Sequence, residues 1–247
     1  MTFTRIRHSI LFIVAMLAAG AMGTVSAQDA PADGDIRMLR IGQSVSELPT
    51  DGYYEFACGS NGGPPLRPIR GWSAFRDCQP EASGLYEVYV EYDSEALAIT
   101  ELYRQTFGEA MWLEKYAGTK VAGHPVILSV LLGSDEIVHG LRVVTDSRAP
   151  LDRRVIAHTL RFRVKGRYSR ARWECIDLPL AGGEKPVGQK YMKERCKAEY
   201  QGRRIVLESH FYRKAGQTGL DDQGQFKEGD FESSTRWEIW NPSVSVN

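Results

Sequence analysis

The residues best suited to chemistry in this sequence are cations that cluster in one stretch. Between Ala149 and Trp173 there are eight basic residues against the single acid Asp152, in a chain whose formal net charge is 0. Guanidinium and ammonium groups bind phosphate and carboxylate, so this basic segment predicts a site for an anionic partner. The residues predicted to bind the anion are Arg161, Arg163, Lys165, Arg167, Arg170 and Arg172.

The geometry of the basic segment depends on its local structure. Apolar and basic residues alternate over 160–165, which is typical of a strand. In an extended backbone Arg161, Arg163 and Lys165 would project from one face, as a row suited to phosphate or carboxylate. Asp152 favours a helix start earlier in the segment, so a helix that gives way to this strand is also open.

The partner of the basic segment is predicted only as a chemical class. Outside the cytoplasm it would be an anionic lipid, a glycan or an acidic protein, and nucleic acid is not expected there. The alternative involves no ligand, because the same cations could pair with carboxylates from 194–208 or 221–232 inside the fold. The leading hypothesis is therefore an exported, non-catalytic envelope protein that binds an anionic partner.

A periplasmic hydrolase acting on cell wall or lipid is the alternative function. Its site would be lined by Tyr, Trp and a carboxylate such as Glu87 or Glu91. The sequence has no GxSxG elbow and no HExxH motif, and its histidines are never paired at metal-ligand spacing. We therefore predict no catalytic residue, no cofactor and no metal site.

A glycine-rich loop at 59–65 is a second candidate for anion binding. Its glycines permit left-handed backbone, and a run of exposed amide groups can form a nest that holds an anion. The alternative is an ordinary surface turn held by a neighbouring disulfide.

Four cysteines predict two disulfides, because an even set in an exported chain is usually oxidised. The favoured pairing joins Cys58 to Cys78 and Cys175 to Cys196, since each of these disulfides would enclose a short local loop of similar length. A zinc site of four thiolates is the alternative, but the CxxC pairs that such sites usually contain are missing.

The first 27 residues predict a signal peptide. A basic start at Arg5 and Arg7 precedes an apolar run over 10–22, and Val25-Ser26-Ala27 supplies small residues for cleavage. A membrane anchor is the alternative, but the run is shorter than the roughly 20 residues that span a bilayer. No later segment is apolar enough to span one, so the predicted location is periplasmic or secreted, and the oligomeric state is left open.

The fold class predicted is α+β, antiparallel and β-rich, with two short helices in the N-terminal half. We expect a lobe at 28–148 and a β-rich lobe at 149–247, or one continuous domain. The helices are predicted at 95–105 and 109–116, and the strands at 36–41, 53–57, 85–92, in a hairpin over 125–145, and at 173–178, 191–200, 204–212 and 231–240.

The strand at 85–92 gives the clearest prediction of which side chains face the core. Val88 and Val90 share a face with two tyrosines, whereas Glu87, Tyr89 and Glu91 lie on the other face. The first face is expected to be buried.

Overall fold

Nine antiparallel β-strands dominate the computed structural model, which describes residues 36–92, 119–216, 223 and 231–244. The strands are β1 (Tyr53–Cys58), β2 (Tyr86–Tyr92), β3 (Lys120–Val121), β4 (His124–Leu132), β5 (Val138–Thr145), β6 (Glu174–Asp177), β7 (Met192–Tyr200), β8 (Arg203–Arg213) and β9 (Phe231–Trp240). The antiparallel, β-rich character predicted from the sequence is confirmed. The prediction of a strand at 36–41 is wrong, because this segment forms a series of turns.

The strands lie in the order β1-β2-β4-β5-β9-β8-β7-β6, and the short β3 pairs with β4. The predicted hairpin over 125–145 is present as β4 and β5, joined through residues 133–137. Strand β5 also pairs with β9, from Gly140 opposite Trp240 to Val144 opposite Arg236. One sheet therefore spans the lobe boundary that we predicted between residues 148 and 149.

The α-helices of the described residues lie in the second half of the chain, as α1 (Leu151–Val155) and α2 (Leu160–Arg167). Short 3-10 helices occur at Val45–Glu47, Trp72–Asp77 and Ala157–Thr159. The prediction that placed the helices in the N-terminal half is wrong for this part of the chain. The two helices predicted at 95–105 and 109–116 lie outside the described residues.

The extended conformation that the alternating pattern favoured over 160–165 is not formed, because 160–167 is helical. A helix brings residues four apart onto one face, and Leu160, Val164 and Tyr168 follow that spacing. All three are buried in the core, whereas Phe162, which the alternating pattern would bury with them, is 57 % exposed. The helix forms and the strand does not, because only a helix buries these residues, which are four positions apart, on one side.

The hydrophobic core lies between one face of the sheet and a layer made by α2 and residues 36–48. Val88 and Val90 of β2 and Trp237 and Ile239 of β9 contribute from the sheet, and Leu160 contributes from α2. The predicted core face of the 85–92 strand is confirmed. Every residue of β4 is buried, as expected for a central strand covered on both sides.

Both disulfides have the predicted pairing, Cys58 with Cys78 and Cys175 with Cys196. The first joins the end of β1 to the 3-10 helix at Trp72–Asp77, and the second connects directly paired residues of β6 and β7. In the described part of the chain no helix is both long enough and apolar enough to cross a membrane.

Candidate functional site

The helical conformation of α2 separates the predicted anion-binding cations onto two faces. Arg161 and Lys165 are four residues apart, and both contact the Glu194 carboxylate of β7, at 3.1 Å and 2.9 Å. The alternative interpretation, internal pairing with a carboxylate from 194–208, therefore holds for these two. The predicted row of Arg161, Arg163 and Lys165 does not exist, because Arg163 lies on another side of the helix.

Arg163 and Arg167, also four residues apart, line a cavity that we call the α2 pocket. Arg170 and Arg172 follow the end of α2, are exposed, and are not among the residues that line this pocket. Only two of the six predicted residues are thus brought together at a concave surface.

The α2 pocket has a volume of about 320 Å³. Its lining consists of four cations and six apolar residues, and no carboxylate occurs among the described residues that line it. The cations are Arg37, Lys120, Arg163 and Arg167. The apolar residues are Ile36, Val121, Ala122, Leu160, Val164 and Trp237.

Two of the four cations are positioned by contacts with other residues of the fold. The guanidinium of Arg37 donates a hydrogen bond of 2.7 Å to the backbone carbonyl of Lys120 and lies 5.0 Å from the centre of the Tyr92 ring. Arg167 lies 5.9 Å from the Tyr168 ring centre and 5.8 Å from that of Trp237. Such cation–π contacts hold a guanidinium over an aromatic face.

The other two cations have unpaired side chains within the described residues. Neither the Lys120 ammonium nor the Arg163 guanidinium makes a hydrogen bond or ion pair there. Trp237 adds a third donor, because its buried indole Nε1–H has no acceptor in the described part of the chain. A buried donor without an acceptor is costly.

The electrostatic effect of these cations is visible at His124, the first residue of β4. Burial lowers the pKa of His124, and the positive charge of Arg163 acts in the same direction. The imidazole accordingly stays neutral at pH 7 and makes a 2.9 Å hydrogen bond to the Thr159 hydroxyl. His124 is therefore a structural residue beside the α2 pocket and adds no charge to it.

Sequence analysis missed Arg37, Lys120 and Trp237. They come from a turn, a two-residue strand and a central strand, separated by more than 80 residues from one another along the chain. No motif joins them, and an isolated cation in a sequence gives no sign of its neighbours. The spacing of four between Arg163 and Arg167 was the available signal, and it points to the correct pair once the segment is helical.

The glycine-rich loop at 59–65 does hold an anion, and the anion is the protein's own Glu87. The amide N–H groups of Asn61 and Gly62 donate to the Glu87 carboxylate, the second at 3.0 Å. Asn61 and Gly62 have φ values of 58° and 76°, the left-handed backbone that points successive amides at one acceptor. A Cβ on Gly59 would lie 2.3 Å from the Glu87 side chain, so only glycine permits this approach. The loop is therefore occupied from within.

Glu87 belongs to a buried network centred on Arg142. The Arg142 guanidinium is 3.0 Å from Glu87, 2.6 Å from Glu81 and 2.7 Å from Glu238. Burial alone would raise the pKa of Glu87. Arg142 and the two loop amides outweigh burial and hold that pKa below its ordinary value. The network is internally satisfied, which is the condition under which buried charges are tolerated.

Glu91, the other carboxylate of the hydrolase alternative, is also engaged. It accepts hydrogen bonds from the hydroxyls of Tyr54 and Tyr89, and Arg148 lies 3.9 Å away. Neither Glu87 nor Glu91 lines any of the three cavities described by this structure. These two carboxylates therefore give the hydrolase alternative no support.

One group of potential metal ligands occurs among the described residues, formed by Cys175, Cys196 and Glu194. Both sulfurs are joined in a disulfide, so they do not act as thiolate ligands. Glu194 is meanwhile paired with two cations of α2.

Comparison of this chain with protein family models, with curated proteins and with solved structures gives no match. The chemistry of the residues themselves is therefore the basis for a functional conclusion.

Proposed function

We propose that the chain is an exported, non-catalytic binding protein whose α2 pocket takes an amphiphilic anion, a phosphate or carboxylate headgroup joined to an apolar part. One observation carries the proposal. Four cations lie around an apolar lining with no carboxylate among the described lining residues. An anion in the pocket would be attracted by all four cations, and no lining carboxylate among the described residues would oppose it.

The headgroup is defined by the donors. Lys120 and Arg163 offer cationic donors that are unpaired among the described residues. Arginine and lysine form short, strong hydrogen bonds with the oxygens of phosphate and carboxylate groups. A headgroup with two or more oxygens can satisfy several of these donors at once.

The apolar part of the ligand is defined by the rest of the lining. Val121 and Ala122 line the pocket and stay accessible to solvent, whereas the apolar residues beneath them, such as Leu160 and Val164, are fully buried. A free inorganic anion would leave this apolar surface in contact with water, whereas an alkyl group would cover it. The volume of about 320 Å³ is near the lower end for small-molecule pockets, which suits a short chain or one end of a longer lipid.

Binding is favoured over catalysis by what the lining contains. The described lining residues include no Ser, Cys, His, Asp or Glu. A nucleophile, or an acid and base pair, is needed to hydrolyse an ester or an amide without a metal. A lone amine such as that of Lys120 does not make a hydrolytic site.

The location follows from the predicted signal peptide, and the two disulfides fit an oxidising compartment. Anionic amphiphiles outside the cytoplasm include both lipid headgroups and free fatty acids. The two share the chemistry that the pocket recognises, and phosphate and carboxylate probes distinguish them.

Isothermal titration calorimetry with octyl phosphate, octanoate and octanol tests the proposal. The anions should bind and neutral octanol should not. The double variant Lys120→Gln/Arg163→Gln should lose at least about tenfold in affinity, because hydrogen bonds to charged groups are worth about 1.5–3 kcal/mol each.

The matched control is Arg172→Gln/Lys190→Gln. It also removes one arginine charge and one lysine charge, but from exposed positions outside the pocket. It should keep the affinity of the unmodified chain. An equal loss of affinity in both double variants would show attraction by net charge alone. If octanol bound as tightly as octyl phosphate, an anionic headgroup would not be needed for binding, which would refute the proposal.

A further inference from the structure

The sheet has a second concave surface on the side opposite the core, which we call the sheet cleft. It has a volume of about 950 Å³ and is lined by alternate residues of β9, β8 and β7, with Arg142 of β5 and residues 61 and 81–83. The intervening residues, such as Trp237 of β9 and Leu207 of β8, face the core. The charged lining residues are Arg142, Arg195, Lys197, Arg204, Arg236, Glu81, Glu208 and Glu238.

The floor of the sheet cleft is fixed by ion pairs. Glu238 Oε1 accepts from Arg142 Nε at 2.7 Å and from Arg236 Nε at 2.9 Å, and its Oε2 accepts from the indole of Trp240 at 3.1 Å. Arg236 also donates 2.8 Å and 2.6 Å hydrogen bonds to the backbone carbonyl and the side chain of Asn61. These groups are mutually satisfied and hold their positions without a ligand, which makes the floor a preorganised surface.

Two cations of the cleft remain available to a ligand, and they lie on either side of Val206. Lys197 is opposite Val206 in the β7–β8 pairing, and Arg204 precedes Val206 by two residues on the same face of β8. The Lys197 ammonium has no hydrogen bond or ion pair among the described residues. Arg204 donates through Nη2 to the carbonyl of Val244, while its buried Nε–H has no acceptor there.

The mixture of charges defines what these cations would bind. The lining carries five cations and three carboxylates, so an anion is favoured overall. A compact, doubly charged phosphate placed beside Lys197 would also lie close to Glu208 and Glu238 and be repelled by them. A ligand that combines a carboxylate with neighbouring hydroxyls would satisfy both signs, because the carboxylates accept hydrogen bonds from hydroxyl groups.

We infer that the sheet cleft binds an acidic saccharide, a sugar chain whose units carry carboxylates and hydroxyls. Its carboxylate would be bound by Lys197 and Arg204, and a neighbouring hydroxyl would donate to Glu208. The C–H face of a sugar ring would contact Val206. The mostly polar lining distinguishes this site from the apolar α2 pocket, and the inference does not depend on the function proposed for that pocket.

Isothermal titration calorimetry with trigalacturonate tests the inference, with maltotriose as the neutral trisaccharide and inorganic phosphate as the compact anion. Trigalacturonate should bind, and both controls should bind at least tenfold more weakly. The variant Lys197→Gln/Arg204→Gln should reduce the affinity for trigalacturonate at least tenfold, whereas Arg172→Gln/Lys190→Gln should leave it unchanged.

Three results would overturn the inference: no heat with trigalacturonate, equal binding of maltotriose, or phosphate binding as tight as trigalacturonate. An affinity unchanged in Lys197→Gln/Arg204→Gln would place any binding elsewhere. Circular dichroism of that variant checks that the sheet is intact. Octyl phosphate titrated into the same variant separates the two sites, since the α2 pocket should keep its affinity.

Discussion

Replacing Glu87 by glutamine should destabilise the protein at neutral pH, because this residue is the internal anion of the glycine-rich loop. The change keeps the size of the side chain and removes its charge. One oxygen is lost as an acceptor, and the NH₂ group in its place faces either the amide of Gly62 or the amide of Asn61 together with the guanidinium of Arg142.

The size of the effect follows from the contacts. Breaking a buried ion pair costs about 3–5 kcal/mol when the remaining charge is left uncompensated. Arg142 retains Glu81 and Glu238 in this variant, so its charge stays balanced. We therefore expect the lower end of that range, a loss of about 3 kcal/mol in the free energy of unfolding.

The effect should also depend on pH, with a defined sign. The folded-state pKa of Glu87 lies below the ordinary value of 4.5, so the folded protein binds this proton more weakly than the unfolded chain does. The stabilisation is complete above pH 4.5 and is lost as the pH falls through the lower, folded-state pKa. The two proteins should therefore become more similar in stability below pH 4.5.

Urea unfolding at pH 7 and at pH 3.5, followed by tryptophan fluorescence with the disulfides intact, measures both effects. Glu55→Gln is the matched control, because Glu55 is exposed on the neighbouring strand β1 and should change stability by less than about 0.5 kcal/mol. A loss below about 1 kcal/mol for Glu87→Gln at pH 7, or a difference that is as large at pH 3.5, would refute the reasoning.

Two further predictions concern the disulfides and the histidines. Limited dithiothreitol should reduce Cys175–Cys196 before Cys58–Cys78, because Cys175 is exposed whereas both residues of the other pair are buried. Mass mapping after alkylation gives the order of reduction, and the reverse order would contradict the structure. Burial lowers the pKa of three histidines, so each should take its proton below pH 6.5, and stability should fall as the pH decreases from 6.5 through the lower, folded-state values. These residues are His124, His158 and His210. Their imidazole NMR resonances measure the titrations, and a midpoint at or above 6.5 for any of them would count against its burial.

The strands could be predicted from the sequence wherever alternation or length was clear. Val88 and Val90 gave the core face of β2 correctly, and the apolar run of β4 gave a strand buried on both sides. The other face of β2 could not be predicted in full. Glu87 and Glu91 are buried there because a distant loop and two tyrosines cover them, and these contacts leave no local pattern.

The basic segment shows why local pattern alone was insufficient for the candidate site. Residues 160–165 fit a strand by alternation and a helix by the spacing of Leu160, Val164 and Tyr168, and tertiary burial decided between them. Arg163 could be found from sequence as part of a basic cluster. Lys120 could not, because only the folded sheet brings it to α2.

The two tryptophans at the end of β9 provide the most direct test of the proposed function. Trp237 lines the α2 pocket, and its buried indole N–H has no acceptor among the described residues, whereas the Trp240 indole already donates to Glu238 on the other face of the sheet. The indole N–H resonances can be followed by ¹⁵N NMR during titration with octyl phosphate and assigned with Trp237→Phe and Trp240→Phe. The Trp237 resonance should shift and saturate while that of Trp240 stays unchanged. A Trp237 resonance that does not move at saturating octyl phosphate would contradict the claim that the α2 pocket is the anion site.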